Sequence, residues 1–72
     1  MTNYYKDKNR ALAELDTLLK AALQSKNDVS INSTLYEFSK THPVSDKVIM
    51  KQIERFSEIH NLKIKGDLVV MS

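Results

Sequence analysis

The chain contains no cysteine, one proline and one glycine in 72 residues. Without thiols, neither disulfide staples nor thiolate metal sites are open to it. The lone glycine, Gly66, also excludes a glycine-rich phosphate loop. Long hydrophobic runs are missing as well. The longest, Leu68-Val69-Val70-Met71, is too short for a bilayer span or a signal-peptide core. Neither sign of charge dominates: 11 Lys and Arg against 9 Asp and Glu give a net charge of +2 and a pI near 9.0. That balance is compatible with nucleic acid without demanding it. The two histidines, His42 and His60, lack the further ligands that a zinc site needs. There is no strand-turn-helix nucleophile setting, and the scattered carboxylates each have a base nearby. The expectation is a chain that is not an enzyme and that uses neither cofactor nor metal.

What is present is ordinary globular composition, 42% hydrophobic and 28% charged. Residues 1–72 are expected to form one small domain with a thin stability margin, soluble and cytoplasmic or nucleoid-associated, with no membrane partner. A first helix is predicted over Lys8 to Lys26. Leu12, Leu15, Leu19 and Leu23, with Ala11, Leu18 and Ala22, recur at three- and four-residue steps, and Ala and Leu have high helix propensity. Ser25-Lys26-Asn27-Asp28 stops it. Residues 1–7 precede the helix as a segment able to act as an arm, with Tyr4 and Tyr5 beside Lys6, Lys8 and Arg10. The competing reading has the tyrosines cap a core or a dimer interface.

Val29-Ser30-Ile31 alternates as a short edge strand does. Asn32, Ser33 and Thr34 compete as N-caps of a second helix, and Thr34-Leu35-Tyr36-Glu37 has capping-box spacing. Leu35, Phe38 and Tyr36 are expected to face inward. Pro43 requires that helix to end by His42. Ser45 is the N-cap of a third helix running to about His60, with Ile49, Ile53 and Phe56 as its apolar stripe and Ile59 and His60 flanking it. Asn61 ends it. Leu62-Lys63-Ile64-Lys65 and Leu68 to Met71 are two strands joined by a Gly66-Asp67 turn, with Gly66 supplying the positive φ. The fold class is therefore mainly α with a small antiparallel β-hairpin, in the order α-β-α-α-β-β around a three-helix core.

This succession, carried by Ser33 to Met71 and spanning about residues 8 to 71, resembles the winged helix-turn-helix superfamily. Ser45 after the turn and Ile49 four residues on occupy positions typical of it. The resemblance implies a recognition helix over Asp46 to His60, a wing over Lys63 to Val70, and double-stranded DNA as partner, in transcription regulation or another DNA-management task. On the third helix Lys47, Lys51 and Arg55 form one row opposite the apolar stripe, able to reach phosphates or base edges in a major groove. Met50 lies beside that row. Ser45 stands at a helix N-terminus whose amides can accept a phosphate, with Asp46 opposing it. Lys63 and Lys65 point off the core face of the hairpin and suit phosphate. The candidate DNA-binding residues are thus Ser45, Lys47, Met50, Lys51, Arg55, Lys63 and Lys65.

Each of these residues has a plainer reading. Glu54 and Glu58, three residues after Lys51 and Arg55, suit a merely solvated helix, and lysines on an edge strand discourage aggregation. The short wing and the near-neutral third helix fit an alternative, a winged-helix protein-interaction module that does not bind DNA. The leucine-rich first helix, residues 8–26, is also a candidate homodimer surface.

Overall fold

The computed structural model describes residues 4–42 and 44–71; Met1 to Asn3, Pro43, Ser72 and the side chains of Tyr4 and Tyr5 lie outside the described part. Three helices, α1 (Tyr4–Ser25), α2 (Ile31–Thr41) and α3 (Asp46–Ile59), are joined by three short strands, β1 (Val29–Ser30), β2 (Lys63–Lys65) and β3 (Leu68–Val70). The element order is the expected α-β-α-α-β-β, a winged-helix layout. The strands form one antiparallel sheet in the order β1-β3-β2. Val29 pairs with Val69 and Ser30 with Leu68 on one side of β3; Lys63, Ile64 and Lys65 pair with Val70, Val69 and Leu68 on the other. Helix α1 begins at Tyr4, earlier than the expected Lys8, so residues 4–7 of the supposed arm are its first turn.

The core is the meeting place of the three apolar stripes. Leu15 and Leu19 of α1, Ile49 and Ile53 of α3 and Val69 of β3 are fully buried, with Ala11, Val29, Ile31, Phe38, Val44, Phe56 and Met71 around them. Burying one such side chain is worth about 1.5–3 kcal/mol. Leu15 and Leu19 are consumed in this way, and among the described residues of α1 the exposed large apolar side chain is Leu18, at 39%. Two inward assignments are corrected. Tyr36 is 61% exposed, with the Lys40 ammonium 4.5 Å over its ring, because two residues, about 200° of rotation, put it on the face of α2 opposite Thr34 and Phe38. Ile59, placed beside the α3 stripe, is 75% exposed, and His60 is exposed too; the helix has by then run past the core.

Both long helices end on a residue with positive φ, Lys26 (58°) after α1 and Asn61 (55°) after α3. Asn27 N–H donates to Ala22 O and Lys26 N–H to Leu23 O; Leu62 N–H donates to Ser57 O and Asn61 N–H to Glu58 O. These are Schellman closures, which satisfy the last carbonyls and turn the chain back. Asn61 tolerates the left-handed region, whereas Lys26 occupies a place that glycine would fill without steric cost.

The start of α2 differs from expectation. None of Asn32, Ser33 and Thr34 caps it. The N-cap is Ser30, whose Oγ accepts from Ser33 N–H at 3.3 Å, and Thr34 is buried with its hydroxyl on Ser30 O. The reason lies in the hairpin turn. Asp67 accepts from Ile31 N–H through its backbone oxygen (2.7 Å), from Asn32 N–H through Oδ1 (2.8 Å) and from the Ser30 hydroxyl through Oδ2 (2.7 Å). A carboxylate from far along the chain thus satisfies the Asn32 amide in the first turn of α2, beside the Ile31 amide held by the backbone oxygen of the same residue, and sits at the favourable end of the helix dipole. At the opposite end of the β1–β3 pairing, Asp28 Oδ1 accepts from Met71 N–H at 3.0 Å.

The turn between α2 and α3 is tied to α1 by His42. Its Nε2 lies 2.8 Å from Glu14 Oε2, its Nδ1 lies 2.8 Å from Thr41 Oγ1, and its ring stacks on Phe38 with centroids 5.2 Å apart. Thr41 Oγ1 donates to Glu37 O.

The Asp67 contacts predict a measurable loss. Asp67→Ala should lower unfolding stability by about 1–2 kcal/mol in urea titrations, as for removal of a helix cap. Asp67→Asn, which keeps a carbonyl acceptor, should fall between the two. An unchanged midpoint for Asp67→Ala would show that water replaces the carboxylate without cost.

Candidate nucleic-acid interface

Helix α3 presents its outer face because Ile49, Ile53 and Phe56 hold its inner face in the core. Lys47, Lys51 and Arg55 are all exposed on that outer face, as the four-residue spacing requires. Glu54 and Glu58 are exposed as well, but among the described residues neither forms an ion pair with Lys51 or Arg55. By helical phase, at about 100° per residue, Glu54 leans towards Met50, whereas Lys51 and Arg55 lean towards Val48 and Gln52. Glu58 falls between Lys47 and Lys51 in phase, so the outer face carries both signs, and Lys51 and Arg55 mark its edge towards Val48 and Gln52.

That edge borders α1. Lys51 and Arg55 share a cleft of about 120 Å³ with Val48 and Gln52 of α3 and with Lys8 and Leu12 of α1. The sequence placed Lys8 only beside the N-terminal arm, not with the α3 row. The signal was present: Lys8 lies four residues before Leu12, in phase with the buried Leu15–Leu19 stripe. A cation at the end of an apolar stripe is aimed at the neighbouring element, not away from it.

The remaining candidates are distributed differently. Ser45 is the N-cap of α3, its Oγ accepting from Val48 N–H at 3.4 Å, so its acceptor already serves the helix. Met50 is half-buried and packs against the core. Lys63 and Lys65 are exposed on β2. They do not share the α1–α3 cleft. Together with His60 and Asn61 at the end of α3, Leu23 at the end of α1, and Val70 and Met71 of the return strand, they line a second, wider depression of about 470 Å³. Gly66 takes φ +58° in the turn, as expected. The turn is drawn down onto the start of α2 by Asp67, so the wing is held close to the body instead of projecting from it.

Among the described residues no group of three His, Cys, Asp or Glu side chains is arranged to hold a metal ion, and no helix is long and apolar enough to cross a membrane. The side chains that converge here are cations and amides. They suit recognition of an anion.

Ser45→Ala should lower stability by about 1 kcal/mol through loss of the α3 cap and leave the affinity of the folded protein for any polyanion unchanged. A loss of affinity at temperatures where the variant is fully folded would instead make Ser45 a direct contact. Comparison with protein-family models, with curated proteins and with solved structures gave no match for this chain.

Proposed function

We propose that the protein is a small DNA-binding protein, serving transcription regulation or another task of DNA management. In this reading α3 lies in the major groove, and Lys63 and Lys65 rest on flanking phosphate. The observation that carries it is the row Lys47, Lys51 and Arg55, exposed along α3 and free of ion pairs among the described residues. Unpaired cations on an outward helix need shed no internal partner before they meet phosphates. A helix of 14 residues, about 21 Å long, supplies two turns or more to a groove about 12 Å wide. The winged-helix order of elements supports the reading by resemblance.

A second reading rests on a different observation. Among the described residues strand β2 pairs only with β3, and Ile64 and Leu68 are exposed on the hairpin. An unpaired edge beside apolar side chains suits strand addition by an extended peptide. The chain would then be a protein-interaction module.

Fluorescence anisotropy with a mixed-sequence duplex separates the two. DNA binding predicts micromolar or tighter affinity that falls steeply with salt. Replacing Lys47, Lys51 and Arg55 together by Ala should then weaken binding at least tenfold. The salt slope should fall by about two to three, roughly one for each phosphate that the variant no longer neutralises. No binding at low salt, with stoichiometric recovery of a protein partner in a pull-down, would select the interaction module.

A further inference from the structure

The α1–α3 cleft has a property that neither helix shows alone. Each of its charged lining residues, Lys8, Lys51 and Arg55, is a cation, and among the described residues no carboxylate lines it. Its floor is apolar, formed by half-buried Leu12 and Val48, and half-buried Gln52 adds an amide. Three like charges around one small cleft repel one another. An apolar floor lowers the local dielectric and strengthens both that repulsion and the pull on an incoming anion. Glu54 and Glu58 of α3 do not line it, and among the described residues neither pairs with Lys51 or Arg55. The cleft, about 120 Å³ and open to solvent, has room for a tetrahedral oxyanion. The guanidinium offers two parallel donors to such a group, and the ammonium groups act as point charges on its remaining oxygens.

We propose that this cleft is a phosphate-binding site in which Lys8 of α1 joins Lys51 and Arg55 of α3. The phosphate is either a phosphodiester of a nucleic-acid backbone or the phosphate of a free small molecule. In the first case the inference rests on the DNA-binding reading and adds α1 to its interface. In the second it stands without that reading. Lys8 then fixes how α3 approaches a strand, because the phosphate held between the helices sets the register of the groove-facing residues. A contact of this kind carries no sequence information of its own.

The test has two arms. In the first, the full chain labelled with ¹⁵N is titrated with inorganic phosphate at constant ionic strength, with chloride as control. The expected result is saturable amide shifts confined to the neighbourhood of Leu12, Val48, Gln52 and Arg55, half-complete on the order of 1 mM, and at least severalfold weaker in Lys8→Ala. In the second, duplex binding is measured against salt for wild type and Lys8→Ala. The expected result is a slope smaller by about one in the variant, equally for unrelated sequences. Circular dichroism verifies the fold of Lys8→Ala, and the wild-type phosphate titration does not depend on that variant. Shifts with phosphate but no duplex binding would keep the site for free phosphate compounds and dismiss the DNA reading. A smaller slope without response to free phosphate would restrict the site to backbone phosphodiesters. Duplex binding with an unchanged slope and no phosphate response would overturn the site and leave the DNA reading standing. No response in either arm would overturn both.

Discussion

The rest of the structure depends on the contact between the hairpin turn and the start of α2. Strand β1 has only two residues, too few for a ladder to hold by itself. It is stable because aspartates act beyond both ends of its pairing with β3. Asp67 closes one end on Ile31, Asn32 and Ser30, and Asp28 closes the other on Met71. Each bond contributes on the order of 1 kcal/mol net, but their joint effect is geometric. They set the register that turns Val29 and Val69 into the core, and they attach the wing to the helix-turn-helix unit.

With the sheet fixed, the positions of the helices follow. Val69, Val29 and Met71 form one wall of a core whose other walls are the stripes of α1, α2 and α3. His42 adds a polar tie from the α2–α3 turn to Glu14 of α1. Helix α3 is thus held on its inner face by apolar burial and at its beginning by the Ser45 cap and the neighbouring turn. Its outer face is left to solvent, and the edge marked by Lys51 and Arg55 is pressed against the first half of α1. The wing, drawn inward by Asp67, puts its lysines near the C-terminal end of α3, away from the α1–α3 cleft. Any anionic surface bound to this protein would meet two separate basic areas, one made by helices and one by the hairpin.

The elements themselves were legible because each carries a local signal. Leu15 and Leu19, then Ile49, Ile53 and Phe56, mark the buried faces by spacing alone, and Ser45, Asn61 and Gly66 mark a start, an end and a turn by their own backbone chemistry. The row Lys47, Lys51 and Arg55 was legible for the same reason. The start of α2 was not. Asn32, Ser33 and Thr34 are all good caps in isolation, and only the approach of Asp67 from the hairpin makes Ser30 the one used. Tyr36 and Ile59 were misplaced because hydrophobicity says what a side chain tolerates, while the extent of the core decides which positions it covers.

The sequence by itself determined which segments are helix and strand, where the chain turns, and which helix face carries the row Lys47, Lys51 and Arg55. These depend on residues within one or two turns of each other, whose interactions are present in any compact form of the chain. Only the tertiary structure decided that Asp67 caps α2 and that Lys8 stands beside Lys51 and Arg55. Those arrangements join residues tens of positions apart. Their geometry is set by how the helices and the sheet pack together, and no local pattern in either partner encodes it.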